Sequence, residues 1–115
     1  MDMNVAIENL ISAIHADYVA FNGDLSSLPE ARRVHRMKMV EDFKNSLSMM
    51  VGKKYIKIVK EGSVWGFVVN TTDDKMFRYG DILKAVSWAT PARNAARGNV
   101  FEDYEVEWTG PRYLR

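Results

Sequence analysis

The sequence predicts a single α+β domain in which two N-terminal helices pack on a small, mostly antiparallel β-sheet. Apolar residues recur at helical spacing over residues 4–51, and runs of β-branched and aromatic residues follow over residues 53–115. The length of 115 residues suits one domain and is too short for two. No repeat, low-complexity tract or linker divides the chain. We therefore expect one domain over residues 1–115, with a helical hairpin at 4–51 and a β-rich part at 53–115.

The first element is predicted to be an amphipathic helix over residues 4–21. Its large apolar residues recur every three or four positions and therefore share one helical face. They are Ile7, Leu10, Ile11, Ile14, Tyr18 and Phe21. The following Asn22-Gly23-Asp24 favours a helix end, because glycine readily adopts the left-handed backbone that closes many helices.

A second helix is predicted to begin at Ser27-Leu28-Pro29-Glu30 and to end near Val51, before Gly52. Ser27 can cap this helix, Glu30 stands three residues later as in a capping box, and Pro29 suits a first turn. The apolar side consists of Val40, Phe43, Leu47 and Met50. The short connection predicts that the two helices form an antiparallel hairpin.

The rest of the chain predicts strands and short helices. Residues 54–60 and 63–70 are rich in β-branched and aromatic residues and flank Glu61-Gly62, which predicts a β-hairpin. The later elements are a polar loop at 71–74, an extended piece at 75–79, short helices at 82–88 and 90–98, and an alternating strand at 104–108. Asp81 caps the first short helix in this prediction, and Thr90, followed by Pro91, caps the second.

The composition limits the chemistry and the location. The chain has no cysteine, which excludes disulfides, thiolate nucleophiles and cysteine zinc sites. We also expect no cofactor. Its longest apolar runs, such as residues 63–69, are far below the roughly 20 residues of a membrane span. The N-terminus, Met1-Asp2-Met3-Asn4, has an acid where a signal peptide carries Lys or Arg. We expect a cytoplasmic protein with no membrane partner.

No catalytic apparatus is recognisable, and we expect that the protein is not an enzyme. His15 and His35 lack the i, i+4 spacing of a helical metal site and have no suitable nucleophile nearby in the sequence. Phosphate-binding glycine loops, dinucleotide fingerprints and nucleophile motifs are absent from the sequence. The acidic pairs are typical of solvated loops or the solvent face of a strand; they are Asp73-Asp74, Glu102-Asp103 and Glu105 with Glu107.

The net charge of +1 conceals a strong segregation of charge along the chain. Residues 1–31 hold five acidic and no basic residues, whereas residues 32–60 hold nine basic and two acidic ones. Residues 75–101 are basic again, and residues 102–107 contain four acids. Such asymmetry indicates either a surface for a polyanion or acidic and basic segments that pair within the fold, and we prefer the second interpretation.

A basic patch is predicted at Arg32, Arg33 and Arg36, near the start of the second helix. Arg32 and Arg36 are four apart and share a helical face. Cations near a helix N-terminus oppose the helix dipole, which indicates a partner such as phosphate or an acidic protein. The alternative is that these arginines pair with the acidic first helix, and we prefer that alternative.

Residues 77–101 contain the predicted nucleic-acid site. Arg93 and Arg97 share one face of the helix predicted to start at Thr90-Pro91, whose N–H groups form a potential anion site. The residues predicted to contact phosphates or to donate hydrogen bonds are Arg78, Lys84, Arg93, Asn94, Arg97 and Asn99. Phe77 and Trp88 can stack on bases or fill the core, and we prefer the core for both.

The same region resembles a motif in small uncharacterised proteins encoded by tailed bacteriophages. The resemblance covers about residues 52–114, and the strings that carry it are Lys54-Tyr55-Ile56-Lys57-Ile58, Gly80-Asp81-Ile82-Leu83-Lys84-Ala85, Trp88, Thr90-Pro91-Ala92-Arg93-Asn94, Ala96-Arg97-Gly98-Asn99, Trp108, Gly110, Pro111 and Tyr113. It implies a phage accessory protein in the cytoplasm of the bacterial host cell. It implies no activity and no catalytic residue.

Two functional hypotheses follow. The first is a non-enzymatic accessory protein that binds nucleic acid through a basic surface. The second is a protein-interaction module that inhibits or redirects a host bacterial factor, as a monomer or as a homodimer. The second helix is rich in methionines, namely Met37, Met39, Met49 and Met50, and adaptable side chains of this kind suit an interface.

Overall fold

The computed structural model describes residues 1–112 and has two helices, a four-stranded antiparallel sheet and a two-stranded sheet. The α+β class is therefore confirmed. The elements are α1 (Met3–Asn22), α2 (Glu30–Ser46), β1 (Ser48–Val51), β2 (Tyr55–Lys60), β3 (Ser63–Val69), β4 (Ile82–Lys84), β5 (Val106–Glu107) and β6 (Gly110–Pro111). Tyr113 of the phage-like motif and the end of the predicted domain lie outside the described residues.

Helix α1 forms as predicted, with one extra residue at each end. The side chain of Asp2 caps it by accepting a hydrogen bond from the Val5 N–H at 2.9 Å. Gly23 ends it with a positive φ of 70° and donates its N–H to the Ala20 carbonyl at 3.1 Å. The buried face contains Ala6, Ile7, Leu10, Ile14 and Tyr18. Phe21, predicted on the same stripe, is 68% exposed.

The predicted β2–β3 hairpin is confirmed. Its two turn residues, Glu61 and Gly62, both have positive φ, as a tight two-residue hairpin turn requires. The sheet order is β1-β2-β3-β4, so β2 and β3 are central. One core cluster joins α1 to the sheet, with Ile56, Ile58, Trp65, Val68 and Ile82 among its members. A second cluster contains Phe67, Val69, Phe77 and Leu83.

The prediction for the second helix is wrong at both ends. Pro29 precedes the first helical residue, and no side chain that the structure describes, Ser27 included, caps the helix. The helix ends at Ser46, and β1 follows where a helix to Val51 was expected, because these residues hydrogen-bond along β2 and extend the sheet. All four residues of β1 are exposed.

Helix α2 contributes little to the core. Phe43 is its one buried residue, and it stacks on Tyr18 of α1 with 4.1 Å between ring centroids. Val40 and Leu47 are partly buried, and Met50 belongs to β1 and is exposed. The two helices therefore meet around one aromatic contact, and most of α2 faces solvent.

The two short helices predicted over residues 82–98 do not form. Ile82–Lys84 is instead β4, which pairs with β3, so Asp81 caps no helix. Ala85 bridges Pro91, and the Val86 N–H donates to the Thr90 carbonyl at 2.8 Å, so the chain makes a tight loop between them. These residues form a strand because they pair with the free edge of β3. A seven-residue segment is too short for its apolar pattern to distinguish a strand from a helix.

The other predicted strands are shorter or absent. The backbone over 75–79 is irregular, and the 104–108 strand is reduced to β5, which pairs with β6. Asp74 organises the irregular segment, because its Oδ1 accepts from the N–H groups of Met76 and Phe77 at 2.8 and 2.9 Å. Within residues 1–112, neither helix combines the length and the apolar character needed to cross a membrane.

Candidate functional site

The surface predicted over residues 77–101 is not assembled as expected. Since no helix starts at Thr90-Pro91, the N-terminal anion site predicted there does not exist. Phe77 is buried, as the core interpretation expects. Trp88 is not a core residue, since it is 49% exposed in the 85–91 loop, with the Lys57 Nζ 4.0 Å from its ring centroid.

Arg78 is paired within the chain. Its guanidinium makes a two-pronged contact with the Glu102 carboxylate at 2.8 and 3.0 Å. The hydrogen bonds and charge of Glu102 raise the pKa of Arg78, and Arg78 in turn lowers the pKa of Glu102. A phosphate approaching Arg78 therefore competes with the Glu102 carboxylate.

Arg93 is held more firmly. It donates to Asp74 Oδ1 at 2.9 Å and to the Tyr55 hydroxyl at 2.5 Å, and its guanidinium lies 4.9 Å from the Phe77 ring centroid. The Asp74 side chain is 1% exposed. The hydrogen bond from Arg93 is the main reason why the pKa of Asp74 is well below its ordinary value, and Asp74 raises the pKa of Arg93.

Arg97 and Asn94 fold back on their own loop. Arg97 donates to the carbonyls of Arg112 at 3.0 Å and of Ala95 at 3.3 Å, and to the Asn94 side-chain oxygen at 3.3 Å. These contacts tie the 94–97 loop to the C-terminal segment, so Arg97 has a structural role in the folded chain.

Asn99 is a buried structural residue. It is 4% exposed and donates its amide to the Tyr79 carbonyl and to Asp81 Oδ1, both at 3.0 Å. Its oxygen accepts the Phe101 N–H at 2.9 Å. Asn99 cannot reach a nucleic acid without unfolding this region. Lys84, the last predicted contact, is half-buried on β4 opposite Gly66.

A groove that sequence reasoning did not find lies between the C-terminal end of α1 and the N-terminal half of α2. Its volume is about 750 Å³, within the range of about 300 to 1,000 Å³ typical of ligand sites. It is lined by Tyr18, Phe21, Asn22, Ala31, Arg32, His35, Arg36, Met39 and Trp108. The groove therefore combines aromatic and apolar side chains with two arginines of the predicted basic patch.

The aromatic floor of the groove is fixed by packing. Trp108 meets Tyr18 edge-on at 5.0 Å and lies 5.3 Å from Phe21, between ring centroids. The backbone N–H of Trp108 donates to Asp17 Oδ2 at 2.8 Å, which holds this segment against α1. Phe21 remains largely exposed although it contacts this cluster, and an exposed aromatic of this kind is typical of an interface.

The arginines beside this floor do not pair with α1. The side chains of Arg32, Arg33 and Arg36 form no ion pair or hydrogen bond with any residue that the structure describes. The prediction that these arginines pair with acidic residues of α1 is therefore wrong. Two of those acids have other roles: Asp17 accepts from the Trp108 backbone, and Asp2 caps its own helix. Arg32 and Arg36 line the groove, whereas Arg33 does not.

The candidate catalytic groups are scattered. Across residues 1–112, no group of three or more His, Asp or Glu residues is arranged to hold a metal ion. His35 lines the groove, whereas the Nε2 of His15 is buried and has no partner among the described residues. The acidic residues predicted to be solvated are exposed apart from Asp74, whose side chain is buried. Glu102 pairs with Arg78, and Glu105 and Glu107 contact Arg112, at the surface.

Comparisons of the chain with protein-family models, with curated proteins and with solved structures find no match. The resemblance to phage proteins therefore stays a prediction. The geometry of the groove and the charged residues around it are therefore the evidence for function.

Proposed function

We propose that the chain is a non-enzymatic protein-binding module whose α1–α2 groove receives an acidic amphipathic segment of a partner protein. The observation that carries this proposal is the exposed Phe21 on an aromatic floor, beside Arg32 and Arg36, which have no partner among the described residues. In this role the chain can act on a bacterial host factor, as the phage-like motif implies.

The exposure of α2 supports this proposal. A 17-residue helix is marginal by itself and normally depends on packing of an apolar face. Here α2 leaves apolar side chains in solvent, namely Val34, Met37 and Met39. Methionines adapt to irregular partner surfaces because their side chains are flexible and polarisable.

The charges around the groove select the chemistry of the partner. Aromatic rings with an adjacent arginine are the side chains most often found at interface hot spots. Carboxylates on the partner would pair with Arg32 and Arg36, and its leucine or phenylalanine side chains would cover Phe21 and Trp108. An acidic helix with apolar residues at i, i+3, i+4 and i+7 meets both requirements.

The nucleic-acid hypothesis has less support. Arg78 and Arg93 already bind carboxylates, Arg97 binds backbone carbonyls, and Asn99 is buried. These side chains are thus held by internal contacts at separate places, and the predicted helix that would have presented Arg93 and Arg97 on one face is absent.

The test uses a fluorescently labelled acidic amphipathic helical peptide and measures its fluorescence anisotropy with the whole chain. We expect Phe21→Ser, and Arg32→Gln combined with Arg36→Gln, each to weaken binding at least about tenfold. Arg33→Gln is the control, because it removes one arginine charge from the same part of α2 but outside the groove, and each single groove variant is compared with it. The arginine variant should also reduce the salt dependence of binding.

Two results would reject the proposal. One is equal affinity for a peptide in which lysines replace the glutamates. The other is an equal loss of binding in Arg33→Gln and in the double variant, which would indicate a general charge effect. Tight binding of an oligonucleotide that is abolished by Phe21→Ser would assign the groove to nucleic acid instead.

A further inference from the structure

A second pocket, separate from the groove, lies where two loops meet at one end of the sheet. Its volume is about 450 Å³, and it is lined by Lys53, Lys54, Thr71, Asp73, Asp74, Lys75 and Arg93. Four cationic side chains therefore line it against two carboxylates. The sequence predicts Arg93 in an anion site, but beside Arg97 at a helix start and without these lysines.

The two loops are joined by Asn70. Its backbone N–H donates to the Lys54 carbonyl at 2.7 Å, and its side-chain amide donates to the Gly52 carbonyl at 2.8 Å. The Gly52 N–H closes the β1–β2 turn on the Tyr55 carbonyl at 2.9 Å. The backbones that carry the lysines are thus held in place before any ligand arrives, which lowers the entropy cost of binding.

Arg93 is positioned at the base of this pocket. Asp74, the Tyr55 hydroxyl and the Phe77 ring fix its guanidinium from three sides, yet its side chain remains 37% exposed. A guanidinium has five N–H groups. Asp74 and Tyr55 take one each, so three N–H groups of Arg93 have no hydrogen-bond partner within residues 1–112.

The two carboxylates differ in position. The Asp74 side chain is 1% exposed, and its Oδ1 accepts from Arg93 and from two backbone N–H groups. Asp74 therefore positions Arg93 through this hydrogen bond. Asp73 is exposed, and its N–H donates to Thr71 Oγ1 at 3.1 Å, which leaves the Thr71 hydroxyl proton able to donate to a ligand.

We propose that this pocket binds the phosphate group of a small phosphorylated molecule. Lys53, Lys54 and Lys75 supply mobile charge, and Arg93 supplies fixed donors of the geometry that phosphate oxygens accept. The pocket volume is that of a small-molecule site. Among residues 1–112, no aromatic side chain lines the pocket, so this part of the chain offers no stacking platform for the bases of a nucleic-acid strand in its walls.

The probe for the test is inorganic pyrophosphate, titrated at constant ionic strength and followed by NMR of the lysine and arginine side chains. We expect saturable shifts at Arg93, Lys53 and Lys75. The double variant Lys53→Gln with Lys75→Gln should bind about tenfold more weakly, since two cations near one phosphate are removed. Both positions are exposed, so the variant should keep its fold, which the same spectra report.

The matched control is Lys38→Gln with Lys44→Gln, which removes two exposed lysines from α2. Equal weakening in the control, or equal shifts with chloride at the same ionic strength, would overturn the proposal and leave only general charge attraction. A 12-nucleotide single strand that binds more tightly than pyrophosphate and loses as much affinity in the double variant would also overturn it, in favour of a nucleic-acid surface. The acidic peptide of the groove test should not shift these signals.

Discussion

Asp74 and Arg93 are 19 residues apart in the chain, and their side chains meet at 2.9 Å under the loops at one end of the sheet. The contact joins the segment after β3 to the segment after β4. The Asp74 carboxylate also accepts hydrogen bonds from the N–H groups of Met76 and Phe77 and so closes the turn there. A residue that looks like half of a solvated acidic pair in the sequence is thus the organising group of this region.

The first prediction concerns the pH dependence of stability. The pKa of Asp74 is lowered from its ordinary value of 3.8, first by the Arg93 hydrogen bond and then by the two backbone N–H groups. The folded state therefore releases this proton more readily than the unfolded state. The stabilisation is present above about pH 4 and is lost as the pH falls further, through the lowered pKa.

Asp74→Asn should therefore lower the urea midpoint at pH 7, and the difference from the natural chain should shrink towards pH 3. Asp73→Asn is the matched control, because the Asp73 carboxylate accepts no hydrogen bond within residues 1–112. Urea unfolding followed by circular dichroism at several pH values measures both. A difference that stays constant with pH would contradict the role assigned to Asp74.

The second prediction concerns Gly80. It has a φ of 91°, and a Cβ added there would lie 2.7 Å from Cδ2 of Phe101, whose ring stacks on Tyr79. Gly80→Ala combines backbone strain of about 1–3 kcal/mol with this clash, and should destabilise the fold strongly. Gly23→Ala is the control, because φ is 70° there and a Cβ would meet nothing within 4 Å. Thermal unfolding should show the larger loss for Gly80→Ala, and equal losses would contradict this account.

The third prediction tests how α2 is attached. Phe43→Ala removes a ring that is 1% exposed and that stacks on Tyr18, so we expect a loss of about 3–5 kcal/mol in the free energy of unfolding. Val34→Ala, at a position that is 58% exposed, should change it by no more than about 0.5 kcal/mol. A small effect of Phe43→Ala would mean that α2 is attached by other contacts.

Sequence patterns succeeded where an element is long enough to show its period. Helix α1 repeats its apolar stripe from Ala6 to Tyr18, and the β2–β3 hairpin carries its own turn chemistry in Glu61-Gly62. They failed where pairing partners decide the structure. Residues 48–51 and 82–84 read as helix in isolation but complete the sheet beside β2 and β3.

The candidate sites show the same division. Arg32 and Arg36 were recognised because they are neighbours on one helix. The groove was not recognised, because its floor contains Trp108, which is far from α1 in the sequence. The Trp108 N–H donates to Asp17, 91 positions earlier in the chain. The second pocket, lined by Lys53, Lys54, Lys75 and Arg93 among others, depends likewise on a turn and a loop that Asn70 joins. No local spacing in the sequence encodes such contacts.

The last prediction separates two asparagines that the sequence treats alike. Asn99 is 4% exposed, and its amide holds Tyr79, Asp81 and Phe101 together, whereas Asn94 is exposed in its loop. Asn99→Ala leaves buried polar groups unpaired and should cost about 1–3 kcal/mol per group left without a partner.

Asn94→Ala should stay within about 0.5 kcal/mol, because its main contacts are with its own loop. Urea unfolding of the two variants under the same conditions measures the difference. If Asn94→Ala and Asn99→Ala both leave the free energy of unfolding unchanged and both weaken oligonucleotide binding, the nucleic-acid surface predicted over residues 77–101 exists after all. If only Asn99→Ala destabilises the fold and neither variant changes oligonucleotide binding, Asn99 supports the fold, and neither asparagine belongs to a nucleic-acid surface.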